Sequence, residues 1–107
     1  MRKKLLNIKH LEVGRFYLHN DKYGGHPAYL YKKRDSRNEY YILIFTSSDG
    51  PKRTKLSKSL EPSKVANSYV HNVPSIVKRR DLGSKPLVGL KIDRSDKVLL
   101  KLISRKK

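Results

Sequence analysis

The stretch YYILIFTSS, residues 40–48, decides how the rest of the sequence is interpreted. Its first six residues are aromatic, β-branched or leucine, with no charged residue among them. A continuous apolar run of this length is typical of a central β-strand that is buried on both faces. Asp49, Gly50 and Pro51 follow and form a strong turn signal, so the strand is expected to end there.

Shorter strand patterns lie on both sides of this run. Residues 12–20 alternate with period two, which places Phe16 and Leu18 on one face of a predicted strand and Tyr17 on the other. Further strands are predicted over residues 27–33, 67–73, 75–82 and 86–92. The polar segment 52–67 is expected to be irregular, with one helical turn after Glu61 and Pro62.

The end of the sequence predicts a short C-terminal helix. Asp93 or Ser95 can cap its N-terminus, and Val98, Leu99 and Leu102 form an apolar stripe. The basic residues at its end suit a helix C-terminus. Many short strands, turn signals between them and one terminal helix predict a mainly β fold, either a small barrel or a sandwich.

The net charge is the strongest functional indication in the sequence. The chain has 107 residues, about one domain, and carries 26 Lys and Arg against 9 Asp and Glu, which gives a formal charge of +17. A polyanionic partner relieves the self-repulsion of such a domain, and nucleic acid is the obvious polyanion. The alternative is a generally soluble basic surface without a specific partner.

Several classes of protein and site are disfavoured. No apolar stretch approaches the roughly 20 residues of a membrane span, and no basic amphipathic helix with an aromatic face is apparent. The N-terminal segment 1–14 is a poor signal peptide, so a cytoplasmic protein without a membrane partner is expected. The chain has no cysteine, which excludes disulfides and Cys-based zinc sites.

No motif indicates a metal ion or a cofactor. The four histidines have no paired spacing with carboxylates, and HExxH, P-loop, GxGxxG and nucleophile-elbow patterns do not occur. Metal-independent cleavage of RNA remains chemically permitted. RNA supplies its own nucleophile, the 2′-hydroxyl, and the enzyme then needs only a base, an acid and donors that stabilise the phosphorane.

The order of three segments resembles the MazF/PemK (Kid) family of toxin endoribonucleases. These segments are VGRFYLHNDKYGGHPAYLY (13–31), ILIFTSS (42–48) and NSYVHNVPSIVKRRDLG (67–83), and a helix from residue 95 follows them. The resemblance spans residues 12–104. It implies an SH3-like barrel over residues 1–107 with a short C-terminal α-helix. It also implies a homodimer that cleaves single-stranded RNA without metal and is inhibited by an acidic antitoxin protein.

The resemblance also assigns catalytic residues. The family's basic position before proline falls on His26, and its Thr-Ser pair falls on Thr46 and Ser47. The family more commonly has Arg-Pro where this chain has His-Pro. Histidine serves as acid or base near neutral pH but is a poorer phosphate clamp than arginine, so Arg34 or Arg79 is a candidate for that role.

Two tyrosines and two basic runs are candidates for nucleic-acid binding. Tyr29 and Tyr31 share a strand face and can stack on bases, although half-buried packing is the common role of such a pair. The basic runs can contact phosphates, although such runs are usually solvated. Their residues are Lys32, Lys33, Arg34, Lys78, Arg79 and Arg80.

Two other functions compete with the toxin hypothesis. One is a non-catalytic nucleic-acid-binding module, which predicts salt-sensitive binding without cleavage. The other is an inhibitor protein from a phage or mobile element, whose charge matches an acidic groove on a protein. Such an inhibitor binds RNA only weakly at physiological salt.

Overall fold

The computed structural model describes residues 11–21, 24–34, 38–61 and 67–106. Within these residues the chain forms six β-strands and one α-helix, so the predicted mainly β fold with a short C-terminal helix is confirmed. No helix among them is long and apolar enough to cross a membrane. The elements are β1 (Phe16–Asp21), β2 (Gly24–Arg34), β3 (Glu39–Thr46), β4 (Arg53–Lys55), β5 (Tyr69–His71), β6 (Ser75–Lys78) and α1 (Lys97–Ser104).

β3 is the centre of an antiparallel sheet. One of its edges pairs with β2, and the other pairs with β6 over residues 39–42 and with β5 over residues 45–46. β1 continues the sheet beyond β2, and β4 continues it beyond β5. The central strand predicted over residues 40–48 is therefore confirmed, with its end at Thr46.

The side chains of β3 alternate between two apolar clusters on opposite faces of the sheet. Ile42 and Ile44 pack on one face against Tyr17 and Leu30. Leu43 and Phe45 pack on the other face against a second cluster, which includes Phe16, Leu56, Leu60, Val70, Leu100 and Ile103. Burial of each large apolar side chain stabilises the fold by about 1.5–3 kcal/mol relative to exposure. Burial on both faces explains why the run contains no polar alternation.

The sheet is not closed into a barrel within the described residues, because β1 and β4 do not pair with each other. The outer edge of β1 is instead covered by the chain that follows β6. The amide of Gly83 donates to the carbonyl of Leu18, and the amide of Leu87 donates to that of Phe16, each over 2.8 Å. These contacts satisfy part of an edge that is otherwise open to pairing with another chain.

The strand predicted over residues 86–92 is wrong. Gly89 has a φ of +81°, a left-handed conformation that interrupts an extended backbone. Leu87, Leu90 and Ile92 instead pack onto the cluster around Leu43. The apolar spacing of this segment therefore reflects contact with a face of the sheet.

The segment 52–67 was predicted to be irregular, but it contains a strand. Its first part forms the short strand β4, in which Arg53 lies opposite His71 of β5. A strand of three polar residues has no apolar alternation for sequence analysis to detect. The helical turn predicted after Pro62 lies outside the described residues.

The predicted apolar stripe of α1 is wrong for two of its three residues. Val98 and Leu102 are 69% and 54% exposed, whereas Leu100 and Ile103 are buried. Leu99 packs against the same cluster as the two buried residues. The apolar residues of this short helix cover an arc wider than the face that packs, so its sequence alone does not show which of them are buried.

A buried carboxylate fixes the start of α1 to the chain after β4. Asp96 is 3% exposed and accepts hydrogen bonds from the amides of Ser57, over 2.7 Å, and Lys58, over 3.2 Å. Asp93, one of the two predicted caps, accepts a hydrogen bond from the amide of Ser95 in the 3₁₀ turn Arg94–Asp96. The two hydrogen bonds from Ser95 lower the pKa of Asp93.

An Asp96→Asn variant is expected to lose about 1.5–3 kcal/mol of unfolding free energy, because one of the two amides loses its charged acceptor. Urea denaturation of the purified protein measures this loss. Asp93→Asn is the matched control and should lose less, because its hydrogen bonds stay within one turn. Equal midpoints for Asp96→Asn and wild type would show that the link to residues 57–58 does not stabilise the fold.

Candidate functional site

A cleft of about 380 Å³ lies where β2 begins and β3 ends. His26 reaches it from β2, and Thr46 reaches it from the end of β3. Its other polar lining includes Ser47, Ser48, Ser59, Glu61, Asn67 and Ser68. We call it the histidine cleft.

The pairing of β2 with β3 explains why His26 and Thr46 line the same cleft. Ala28 of β2 lies opposite Ile44 of β3. His26 and Thr46 are each two residues from this pair, at the same end of the antiparallel ladder. The structure therefore places all three residues assigned by the family resemblance, His26, Thr46 and Ser47, in one cleft.

The hydroxyl of Thr46 has a structural role as well as a place in the cleft. Thr46 is buried, and its Oγ1 accepts a hydrogen bond from the amide of Ser48 over 3.2 Å. A hydroxyl that accepts one bond can still donate its own proton. Thr46 can thus hold the turn after β3 and donate to a ligand at the same time. Ser47 is exposed at the mouth of the cleft.

Glu61 is a lining residue that the sequence analysis did not identify. It is half-buried, and it adds a carboxyl group to the described lining that also contains the imidazole of His26. No motif spacing connects Glu61 to His26, so only the fold reveals the pair. No group of three His, Asp or Glu side chains among the described residues is placed to hold a metal ion.

No lysine or arginine belongs to the described lining of the histidine cleft. The cation held beside the lining is Arg53, whose Nη1 donates to the carbonyl of Ser48 over 2.9 Å. The same nitrogen is 3.5 Å from the carbonyl of Asp49. Arg53 was not a predicted site residue, because β4 was not recognised in the sequence.

The two predicted basic runs converge at the other end of β3. In the sheet register, Arg34 of β2 and Lys78 of β6 both lie opposite Glu39, on its two sides. Arg34 Nη1 is 3.6 Å from Glu39 Oε1. The amide of Arg79 donates to the carbonyl of Asn38 over 3.3 Å, which keeps Arg79 at this end. We refer to six residues together as the basic end: Lys32, Lys33, Arg34, Lys78, Arg79 and Arg80.

The basic end and the histidine cleft are separated by the length of β3. This strand has eight residues, which corresponds to about 23 Å between its ends. Arg34 and Arg79 are therefore not brought to the cleft that contains His26. Lys32 instead lies over the Tyr41 ring, with its Nζ 5.4 Å from the ring centroid.

Tyr29 and Tyr31 line a second and larger cleft of about 600 Å³, which we call the aromatic cleft. Both are half-buried, and the Tyr29 ring centroid is 5.1 Å from that of Phe16. The Tyr31 hydroxyl is buried and has no hydrogen-bond partner among the residues that the structure describes. This burial, together with the charge of neighbouring Tyr41, raises the pKa of Tyr31. Both tyrosines pack against the apolar cluster that includes Phe16 and Leu43, as expected for a half-buried pair, and both also line the cleft.

Comparisons with family models, with curated proteins and with solved structures found no match to this chain. The resemblance to the MazF/PemK family therefore rests on the order of sequence motifs. The geometry of the two clefts and the basic end carries the functional argument.

Proposed function

We propose that the protein is a metal-independent endoribonuclease toxin of the MazF/PemK type that cleaves single-stranded RNA on an SH3-like β fold. The observation that supports this most strongly is the convergence of His26 and Thr46 in one cleft, at the two positions that the resemblance assigns to catalysis. The formal charge of +17 favours a polyanionic substrate.

The proposed reaction needs two proton transfers. The 2′-hydroxyl oxygen attacks the adjacent phosphorus, and a base accepts its proton. The bond from phosphorus to the 5′-oxygen breaks, and an acid donates a proton to that oxygen, which leaves a 2′,3′-cyclic phosphate and a 5′-hydroxyl. His26 and Glu61 supply the acid and the base, since both line the histidine cleft and imidazole and carboxyl groups are the usual general acids and bases.

Charge stabilisation in this proposal comes from hydroxyl donors and one guanidinium. The Thr46 hydroxyl donates a hydrogen bond to a non-bridging oxygen of the phosphorane. Arg53 holds the chain at Ser48 and places its positive charge beside the cleft. Arg53 takes the place of the arginine that the family commonly has before proline.

The proposed biological setting follows from the same family resemblance. The protein acts in the cytoplasm as a homodimer, and an acidic antitoxin holds it inactive. A disordered acidic segment is a suitable partner for a surface of this charge, because charge complementarity steers association.

Induced expression tests the proposal in cells. Wild-type protein is expected to arrest growth and to convert cellular RNA into fragments, whereas Thr46→Ala at the same expression level is expected to permit growth. Growth curves, immunoblots and RNA gels from the same cultures give the result. Normal growth with intact RNA at a confirmed level of folded wild-type protein would contradict the toxin function.

A non-catalytic RNA-binding protein is the second candidate. The observation that favours it is the position of the six cations of the basic end, which lie away from the histidine cleft. In this candidate the basic end binds the phosphate backbone, and His26 is only a half-buried strand residue.

A double variant at the basic end, Lys32→Gln with Lys78→Gln, is expected to weaken RNA binding about tenfold at physiological salt. The slope of log affinity against log salt should fall by about 1.4, since each lost phosphate contact accounts for about 0.7 on a single strand. Fluorescence anisotropy with a labelled single-stranded RNA measures both quantities. Lys55→Gln with Lys85→Gln removes the same charge elsewhere. An equal effect of both pairs would show that RNA binding depends on the total charge of the protein and not on the basic end.

A further inference from the structure

The aromatic cleft combines an apolar floor with a cationic rim. Phe16, Leu43 and Leu100 form buried parts of the floor, and Tyr29 and Tyr31 are half-buried beside them. Four exposed cations line the rim, and these are Arg15, Lys91, Lys97 and Lys101. A volume of about 600 Å³ lies within the range of about 300–1,000 Å³ that is usual for ligand pockets.

The rim charges are only partly neutralised by the protein. Arg15 Nη1 is 3.6 Å from Glu12 Oε2, and Lys91 lies close enough to Asp93 to lower its pKa. Lys97 and Lys101 form no ion pair with any described carboxylate. They are four residues apart on α1 and line the same cleft, so their charges repel each other. An anion at the rim would offset this repulsion.

The floor indicates what this anion carries. Three aromatic rings line the cleft, and the centroids of Phe16 and Tyr29 are 5.1 Å apart in a tilted arrangement. The hydroxyl of Tyr31 is buried and has no hydrogen-bond partner among the described residues, so what Tyr31 presents to the cleft is its ring. Aromatic faces stack on nucleobases. A planar base that carries a phosphate matches both the floor and the rim.

The aromatic cleft also adjoins the histidine cleft. Leu90 lines both clefts, and the amide of Lys91 donates to the carbonyl of Leu60, a lining residue of the histidine cleft, over 2.8 Å. A row of rings joins them, because Phe16 of the aromatic cleft is 5.7 Å from Phe45 of the histidine cleft, centroid to centroid. The two clefts are therefore adjacent, as two binding sites along one RNA strand need to be.

We propose that the aromatic cleft binds one nucleotide of the RNA strand, with its base against Tyr29 and Tyr31 and its phosphate at Lys97 and Lys101. This inference rests on the proposed action on single-stranded RNA and adds a base-binding subsite to it. The base held there selects which RNA sequences are bound.

Equilibrium binding of a short single-stranded RNA tests the subsite apart from cleavage. Anisotropy is measured in EDTA for wild type, for Lys97→Gln with Lys101→Gln, and for the charge-matched control Lys55→Gln with Lys85→Gln. The first pair is expected to weaken binding at least about tenfold and the control less than about threefold. Tyr31→Phe, which keeps the ring, should weaken binding by a smaller factor.

The chemical nature of the ligand is tested by NMR on wild-type protein. RNA is expected to shift the ring resonances of Tyr29 and Tyr31, and an abasic strand of equal length should not. Poly-glutamate of equal charge that binds as tightly and shifts the same rings would overturn base recognition, as would equal affinities of the two double variants.

Failure of this subsite is distinguishable from failure of the proposed function. If wild-type protein cleaves RNA but the Lys97→Gln, Lys101→Gln variant binds RNA as tightly as wild type, the subsite alone is overturned. RNA that shifts the Tyr29 and Tyr31 rings and stays intact supports the subsite and contradicts the nuclease. No RNA binding by wild-type protein overturns both.

Discussion

A His26→Ala variant is expected to cleave single-stranded RNA about 10²–10⁴-fold more slowly than wild type, which is the usual loss when a general acid or base is removed. His26 lines the histidine cleft together with Thr46 and Glu61. Alanine removes the proton-transferring group and leaves the hydroxyl donors in place. RNA binding should change much less than the rate.

Initial rates with a labelled RNA, measured in EDTA for both proteins, give this ratio, and circular dichroism verifies folding. His19→Ala is the matched control. His19 lies directly opposite His26 in the pairing of β1 with β2 and is also half-buried, but it is not part of the cleft lining. Equal losses in the two variants would mean that the sheet, not the imidazole of His26, is what the reaction needs.

An Ile42→Ala variant is expected to lose about 2–5 kcal/mol of unfolding free energy, the usual cost of truncating a fully buried isoleucine. Ile42 is 0% exposed and lies between Leu30 of β2 and Ser75 of β6 in the sheet. Its neighbours in the sheet come from β2 and β6, which both pair with β3, so they have little freedom to close the cavity. Urea denaturation followed by circular dichroism measures the loss.

Two further variants separate burial from strand propensity. Ile76→Ala makes the same chemical change on β6, where the side chain is 39% exposed, and should cost less than about 1 kcal/mol. Ile42→Val removes one methylene and should cost about 0.5–1.5 kcal/mol. Similar losses for Ile42→Ala and Ile76→Ala would contradict the central, doubly buried position of β3.

The central strand was predictable because its signal is local. A strand that contacts apolar clusters on both faces needs a continuous apolar run, and residues 40–45 provide one. The prediction of 86–92 failed for the converse reason. Leu87, Leu90 and Ile92 are apolar because they cover a face of the sheet, and periodicity alone does not separate covering a sheet from pairing within it.

The layout of the site depends on strand register, which local patterns do not encode. The basic runs at residues 32–34 and 78–80 meet only because β2 and β6 flank the start of β3. Arg53 approaches Ser48 through a strand of polar residues that left no recognisable pattern. The family resemblance assigned His26 and Thr46 to the catalytic site, and the pairing of β2 with β3 brings both to one cleft.

The most direct measurement is incubation of wild-type protein with a single-stranded RNA in EDTA, followed by analysis of the product ends, with DNA of the same sequence beside it. We expect cut RNA with 2′,3′-cyclic phosphate and 5′-hydroxyl ends, and intact DNA, because the 2′-hydroxyl is the nucleophile. Intact RNA across a panel of sequences, or cleavage that also occurs in DNA, would contradict the proposed nuclease function.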